Sequence, residues 1–137
     1  MQTEVDGAPR LGSRNMNRMR AWVIALGVAL PYLARLPGGA AWLAQYIRPG
    51  LGGALFLEAF NAIASSSIVG LSFLYHRRAR AVLAPTLAGF GFLAWCHARL
   101  DLTADAQAAV ALVFIPIYAL VPISMGGVVG FLIDRRR

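Results

Sequence analysis

Apolar and polar positions divide the chain into four long apolar runs joined by short polar connections. A helix that crosses a hydrocarbon core about 30 Å thick needs roughly 20 mostly apolar residues. Runs that meet this condition cover residues 19–36, 51–75, 81–97 and 106–133. The pattern predicts an all-α integral membrane protein with four antiparallel transmembrane helices over residues 19–137, preceded by a polar, basic tail over residues 1–18. Connections as short as residues 76–80 and 98–105 leave neighbouring helices no geometry but antiparallel. Residues 37–50 open with a Pro37-Gly38-Gly39 turn and continue as AAWLAQYI, whose Trp42 and Tyr46 suit the membrane interface. A short interfacial helix is expected there. Arg20 and Arg35 edge the first run, where long stems can carry their charge to the interface. Asp101, Thr103 and Asp105 are candidate caps for the last helix.

Composition supports the same class. Apolar residues make up 58% of the chain, charged residues 14%, and mean hydropathy is +0.62, values foreign to a soluble domain. The net charge of +7 would point to nucleic acid in a soluble protein, but here the charge sits at the ends of the apolar runs. All thirteen basic residues are Arg, and they fall into clusters. Arg10, Arg14, Arg18 and Arg20 precede the first run; Arg77, Arg78 and Arg80 follow the second; Arg135, Arg136 and Arg137 close the chain. Four spans place these clusters on one side and Arg35, Arg48 and Arg99 on the other. This bias predicts an inner-membrane protein of a bacterium with both termini cytoplasmic. A basic stretch followed by an apolar run also describes a secretory signal, yet this run ends in Arg35-Leu36-Pro37 with no small-residue cleavage site.

Candidate chemistry centres on Glu58, the one ionisable residue well inside a run, about 10 Å along its helix from the outer end. A carboxylate at that depth is costly and must face protein or water. Asn61, Ser65 and Ser72 fall with it in a stripe roughly 60° wide, giving the second helix a polar face. Such a face serves either as an ion or proton site or as a structural seam. In the second case Glu58 pairs with Arg35, Arg48 or Arg99, or shares a hydrogen bond between helices. Ala62, Ser66 and Gly70 on the second helix, and Gly126 and Gly130 on the fourth, have the spacing of helix-packing seams. Pro116 and Pro122 remove two amides from the fourth helix and predict a bend between Ile115 and Ser124. His76 and His97 end different helices on opposite sides, so they form no haem pair. Cys96 is the single cysteine and has no CxxC partner. No phosphate-binding glycine loop or nucleophile elbow is present, and no catalytic residue, metal site or cofactor is expected.

Four helices with one membrane carboxylate resemble the small multidrug resistance transporters, which work as antiparallel dimers around a glutamate. That family carries its glutamate in the first helix and, in its dual-topology members, has weak charge bias, whereas Glu58 lies in the second helix of a strongly biased chain. The EAFNAIA stretch from Glu58 is similar to a motif of prokaryotic diacylglycerol kinase but lacks its second glutamate and its aspartate. Neither resemblance assigns a family. The expected function is that of a non-enzymatic accessory or interaction subunit, an assembly factor or immunity-type partner. Its partners would be the lipid bilayer and another membrane protein or a second copy, with no nucleic acid. The alternative is a small oligomeric transporter or channel with Glu58 lining the path.

Overall fold

The computed structural model describes residues 11–104 and 107–136, and all regular structure within them is helical. The helices are α1 (Leu11–Leu33), α2 (Gly39–Ile47), α3 (Gly50–Ser72), α4 (Leu83–Arg99) and α5 (Ala108–Arg135). Among the described residues four helical segments are long and apolar enough to cross a membrane, as the hydropathy pattern predicts. Short 3-10 turns precede α2 and α4, at Leu36–Gly38 and Ala79–Val82.

The connections follow from local chemistry. Pro37 stands in the first turn of the 3-10 segment, and Gly39 follows at φ +83°, a left-handed backbone that favours glycine. The chain thereby turns from α1 into α2. Gly50, at φ +67°, makes the second sharp turn, into α3. Asp101 serves its own loop instead of capping α5: its carboxylate accepts the Thr103 N–H at 2.9 Å and the Thr103 hydroxyl at 2.7 Å. Gln107 occupies the N-cap position of α5 without a side-chain cap. Asp105 lies outside the described residues.

Three boundaries differ from the hydropathy reading. α1 begins at Leu11, two turns inside the expected tail, because Met16 extends the buried face of Val23, Gly27 and Leu30. α3 stops at Ser72, and Tyr75 beyond it turns inward to donate to the Gly127 carbonyl at 3.0 Å. α4 continues to Arg99.

α1 packs against α3 and α4, α5 packs against the same two helices, and α3 and α4 meet little. The bundle is therefore a ring in the order α1, α3, α5, α4. Its centre is filled by Ala64, Ile68, Leu93, Ala119 and Ile123, of which the most exposed is Ile123 at 1%. The outer surface is apolar: Leu51, Leu87 and Met125 are 76%, 72% and 68% exposed. Arg35, Asn61, Ser72, His97 and Asp134 lie inside. Polar groups inside and apolar groups outside suit a chain whose surroundings are lipid.

At the arginine-rich end, where α1 starts and α5 stops, Asp134 pins the α3–α4 connection. Its carboxylate accepts the backbone N–H groups of His76, Arg77 and Arg78 at 3.1, 3.0 and 2.7 Å. This role of Asp134 had no sequence signal beyond its position in the last turn.

Candidate functional site

The polar face of α3 is directed mainly at α1. Asn61 is 1% exposed and donates to the Gly27 carbonyl. Ser65 lies over the same residue, so close that a Cβ on Gly27 would collide with its hydroxyl. Ser72 accepts from Arg20 Nε at 2.7 Å, and the Arg20 guanidinium stacks 3.9 Å above the Phe73 ring. Arg20 thus joins two helices as well as carrying positive charge.

Glu58 stands toward the opposite end of this seam, half-buried, beside the Tyr32 hydroxyl. Of the ion-pair partners expected for it, Arg35 is committed elsewhere. One carboxylate oxygen of Glu58, Oε1, is buried without a hydrogen-bond partner, as is Oδ1 of Asn61 one turn on. An unpaired acceptor away from water costs about 1–3 kcal/mol. Both atoms belong to the polar face of α3.

Beside them runs an open groove of about 470 Å³ between α1 and α3. Glu58, Ala62, Ser65, Ser66 and Gly70 form one wall and Ile24, Gly27 and Val28 the other. Ala62, Ser66 and Gly70 are exposed, and a Cβ on Gly70 would meet nothing within 4 Å. Their small-residue spacing faces out of the bundle. Gly126 and Gly130 face inward: a Cβ on Gly126 would lie 2.6 Å from Pro85 Cα, and one on Gly130 would lie 2.5 Å from the Ala81 carbonyl oxygen. Pro116 is buried, Pro122 half-buried, and α5 passes both as one continuous helix.

A second polar cluster closes the end opposite the arginine-rich one. Arg35, placed at the interface by its sequence position, is instead wholly buried at 0% exposure. Its Nε donates to the Trp42 carbonyl at 2.9 Å, and Nη1 donates to the carbonyls of His97 and Leu100 at 3.1 and 2.7 Å. Nη2 donates to Gln45 Oε1. The guanidinium also lies 4.0 Å over the Tyr46 ring. Among the described residues its charge has no direct carboxylate; Gln45 relays it to Asp101 through a 2.9 Å bond. The Thr103 backbone and hydroxyl groups, aided by Gln45 and Arg35, hold the Asp101 carboxyl below the usual carboxylate range, so it stays charged at neutral pH.

Trp42 and Tyr46, read as interfacial aromatics, serve this cap. Tyr46 is 3% exposed, its hydroxyl 2.7 Å from His97 Nδ1, and Trp42 Nε1 donates to the Ala98 carbonyl at 3.1 Å. The histidine and Asp101 thus face different partners. Sequence reasoning missed the cluster. Its one available signal was the glycine turn after Arg35, which folds α2 back so that Trp42, Gln45 and Tyr46, on one helical face, reach the same guanidinium.

Substituting Glu58 separates its roles. Glu58→Gln keeps an acceptor oxygen and is expected to fold and assemble like the parent, whereas Glu58→Ala is expected to weaken helix association about three- to thirty-fold, the range of one interhelical polar contact. Assembly measured in mild detergent reads both; equal behaviour of Gln and Ala would remove hydrogen bonding as the role of this residue.

No family model, curated protein or solved structure matches the chain.

Proposed function

We propose that this chain is a non-enzymatic accessory subunit whose α1–α3 groove receives a transmembrane helix of another membrane protein. The carrying observation is the coincidence of a small-residue groove with a buried, unpartnered carboxylate oxygen at Glu58. Small side chains at Ala62, Ser66 and Gly70 allow close backbone approach, which is how helices associate where lipid supplies no hydrophobic drive. Glu58 Oε1 then defines the partner's chemistry: a helix with a hydroxyl, amide or basic donor at that depth. The filled centre of the bundle argues against a path through a single copy.

Native mass measurement after gentle detergent extraction tests this reading. A stoichiometric complex with a second kind of membrane protein is the expected result. A homo-oligomer would favour the transporter or channel alternative, with Glu58 between copies, and a bare monomer would contradict both.

The ten-to-three arginine distribution supports a bacterial inner-membrane location with the arginine-rich end and both termini in the cytoplasm. α2 would then lie at the outer interface. Cys96, half-buried near the opposite end, is a native probe. An impermeant thiol reagent on intact cells is expected to modify Cys96, while a cysteine replacing Arg78 reacts only after the membrane is opened. The reverse pattern would invert the topology.

A further inference from the structure

We propose that the arginine-rich end holds an anionic phospholipid, its phosphate between Arg77 and Arg135 and its acyl chains against Leu74 and Phe131. These residues line an open pocket of about 630 Å³ between the end of α3 and the last turn of α5, together with His76 and Asp134.

Charge in the pocket is net positive despite the carboxylate. Asp134 is only 5% exposed, and its oxygens are turned into the loop, where they take up three backbone N–H groups. Neither Arg77 nor Arg135 has an ion-pair partner among the described residues. The Arg135 guanidinium stacks 4.2 Å from the Phe131 ring, which holds its planar fork at the pocket wall. Guanidinium forks match phosphate oxygens in pairs. At the same end of the bundle Arg14, Arg18, Arg20, Arg78, Arg80 and Arg136 add positive charge, and Asp134 is the one acid there among the described residues, so this end draws anions.

The apolar wall selects a lipid over a free anion. Leu74, just beyond α3, is 56% exposed, and with half-buried Phe131 of α5 it forms the apolar wall of the pocket. Inorganic phosphate would use the guanidinium groups but gain nothing from this wall. A zwitterionic lipid would use the wall but present a compensating ammonium to the arginines. An anionic phospholipid uses both.

The test is lipid retention by the delipidated full chain, read by native mass spectrometry. It compares phosphatidylglycerol, phosphatidylcholine with the same acyl chains, and inorganic phosphate. Phosphatidylglycerol is expected to be retained about tenfold better than phosphatidylcholine, with no retention of phosphate. Arg77→Gln with Arg135→Gln should abolish that preference, whereas Arg48→Gln with Arg99→Gln, at the opposite end, should keep it. If the first pair fails to fold, Arg77→Gln and Arg135→Gln made singly should each reduce the preference. Equal retention of both lipids, binding of phosphate as tight as that of phosphatidylglycerol, or an undiminished preference in the folded Arg77 and Arg135 variants would overturn the proposal.

Discussion

Arg35→Ala is expected to destabilise the bundle by about 3–5 kcal/mol, because it removes at once the guanidinium donor shared by four buried or part-buried acceptors, of which Gln45 Oε1 keeps only the Leu102 N–H. The carbonyls of Trp42, His97 and Leu100 and the amide oxygen of Gln45 come from α2, the end of α4 and the turn that follows. Losing their common donor detaches α2 and loosens the junction of α1 with α4. The guanidinium also fills space over Tyr46, beneath which Leu57 and Leu112 form a small apolar cluster. Arg35→Lys retains charge but not the fork, so it should restore one or two of the four bonds and fall between parent and alanine. Unfolding in mild detergent measures both. An alanine variant within about 0.5 kcal/mol of the parent, the range of an ordinary surface change, would show that the cluster is not a clamp.

Gly126→Ala and Gly130→Ala are each expected to cost about 1–3 kcal/mol or more, through overpacking against backbone. At Gly126 the new methyl would stand 2.6 Å from Pro85 Cα and 2.7 Å from the Ala84 carbonyl oxygen; at Gly130 it would stand 2.5 Å from the Ala81 carbonyl oxygen and 2.7 Å from the Tyr75 hydroxyl. Backbone cannot turn aside as a flexible side chain can, so α5 must move off α4 at Gly126 and off the Ala79–Val82 turn at Gly130. Gly70→Ala provides the contrast, since its methyl meets open space. Helix propensity alone favours alanine at all three positions by roughly 0.5–1 kcal/mol. Melting temperatures should therefore fall for Gly126→Ala and Gly130→Ala and hold or rise for Gly70→Ala. A rise at all three would mean that the inward glycines do not set the approach of α5 to α4 and to the turn before it.

The features legible in the sequence are those with a period or a length. Four spans follow from apolar runs, and the polar stripe of α3 follows from helical spacing; in the fold Asn61, Ser65 and Ser72 meet α1. Identical small-residue spacings had opposite fates, Gly126 and Gly130 turned inward and Ala62, Ser66 and Gly70 outward. Spacing fixes a shared face but not its direction. Arg35 was illegible for a related reason: an arginine at the end of an apolar run ordinarily reaches water. Here the acceptors that hold it inside come from residues 42–45 and 97–100, and nothing local announces their arrival. Asp134 similarly resembles one acid in a basic tail until the α3–α4 connection folds onto it.

Whether the groove receives a partner helix is tested most directly by filling it. Ser66→Leu and Gly70→Leu place bulk on the exposed wall without touching the packed centre, while Leu87→Ala, on the lipid-facing side of α4, leaves the groove open. The measurement is the native mass of the complex extracted with each variant, at matched expression and matched thermal stability. The expected result is a hetero-complex with the parent and Leu87→Ala that is lost with Ser66→Leu and Gly70→Leu. A hetero-complex that survives both groove-filling substitutions, or a parent chain that yields only copies of itself, would contradict it.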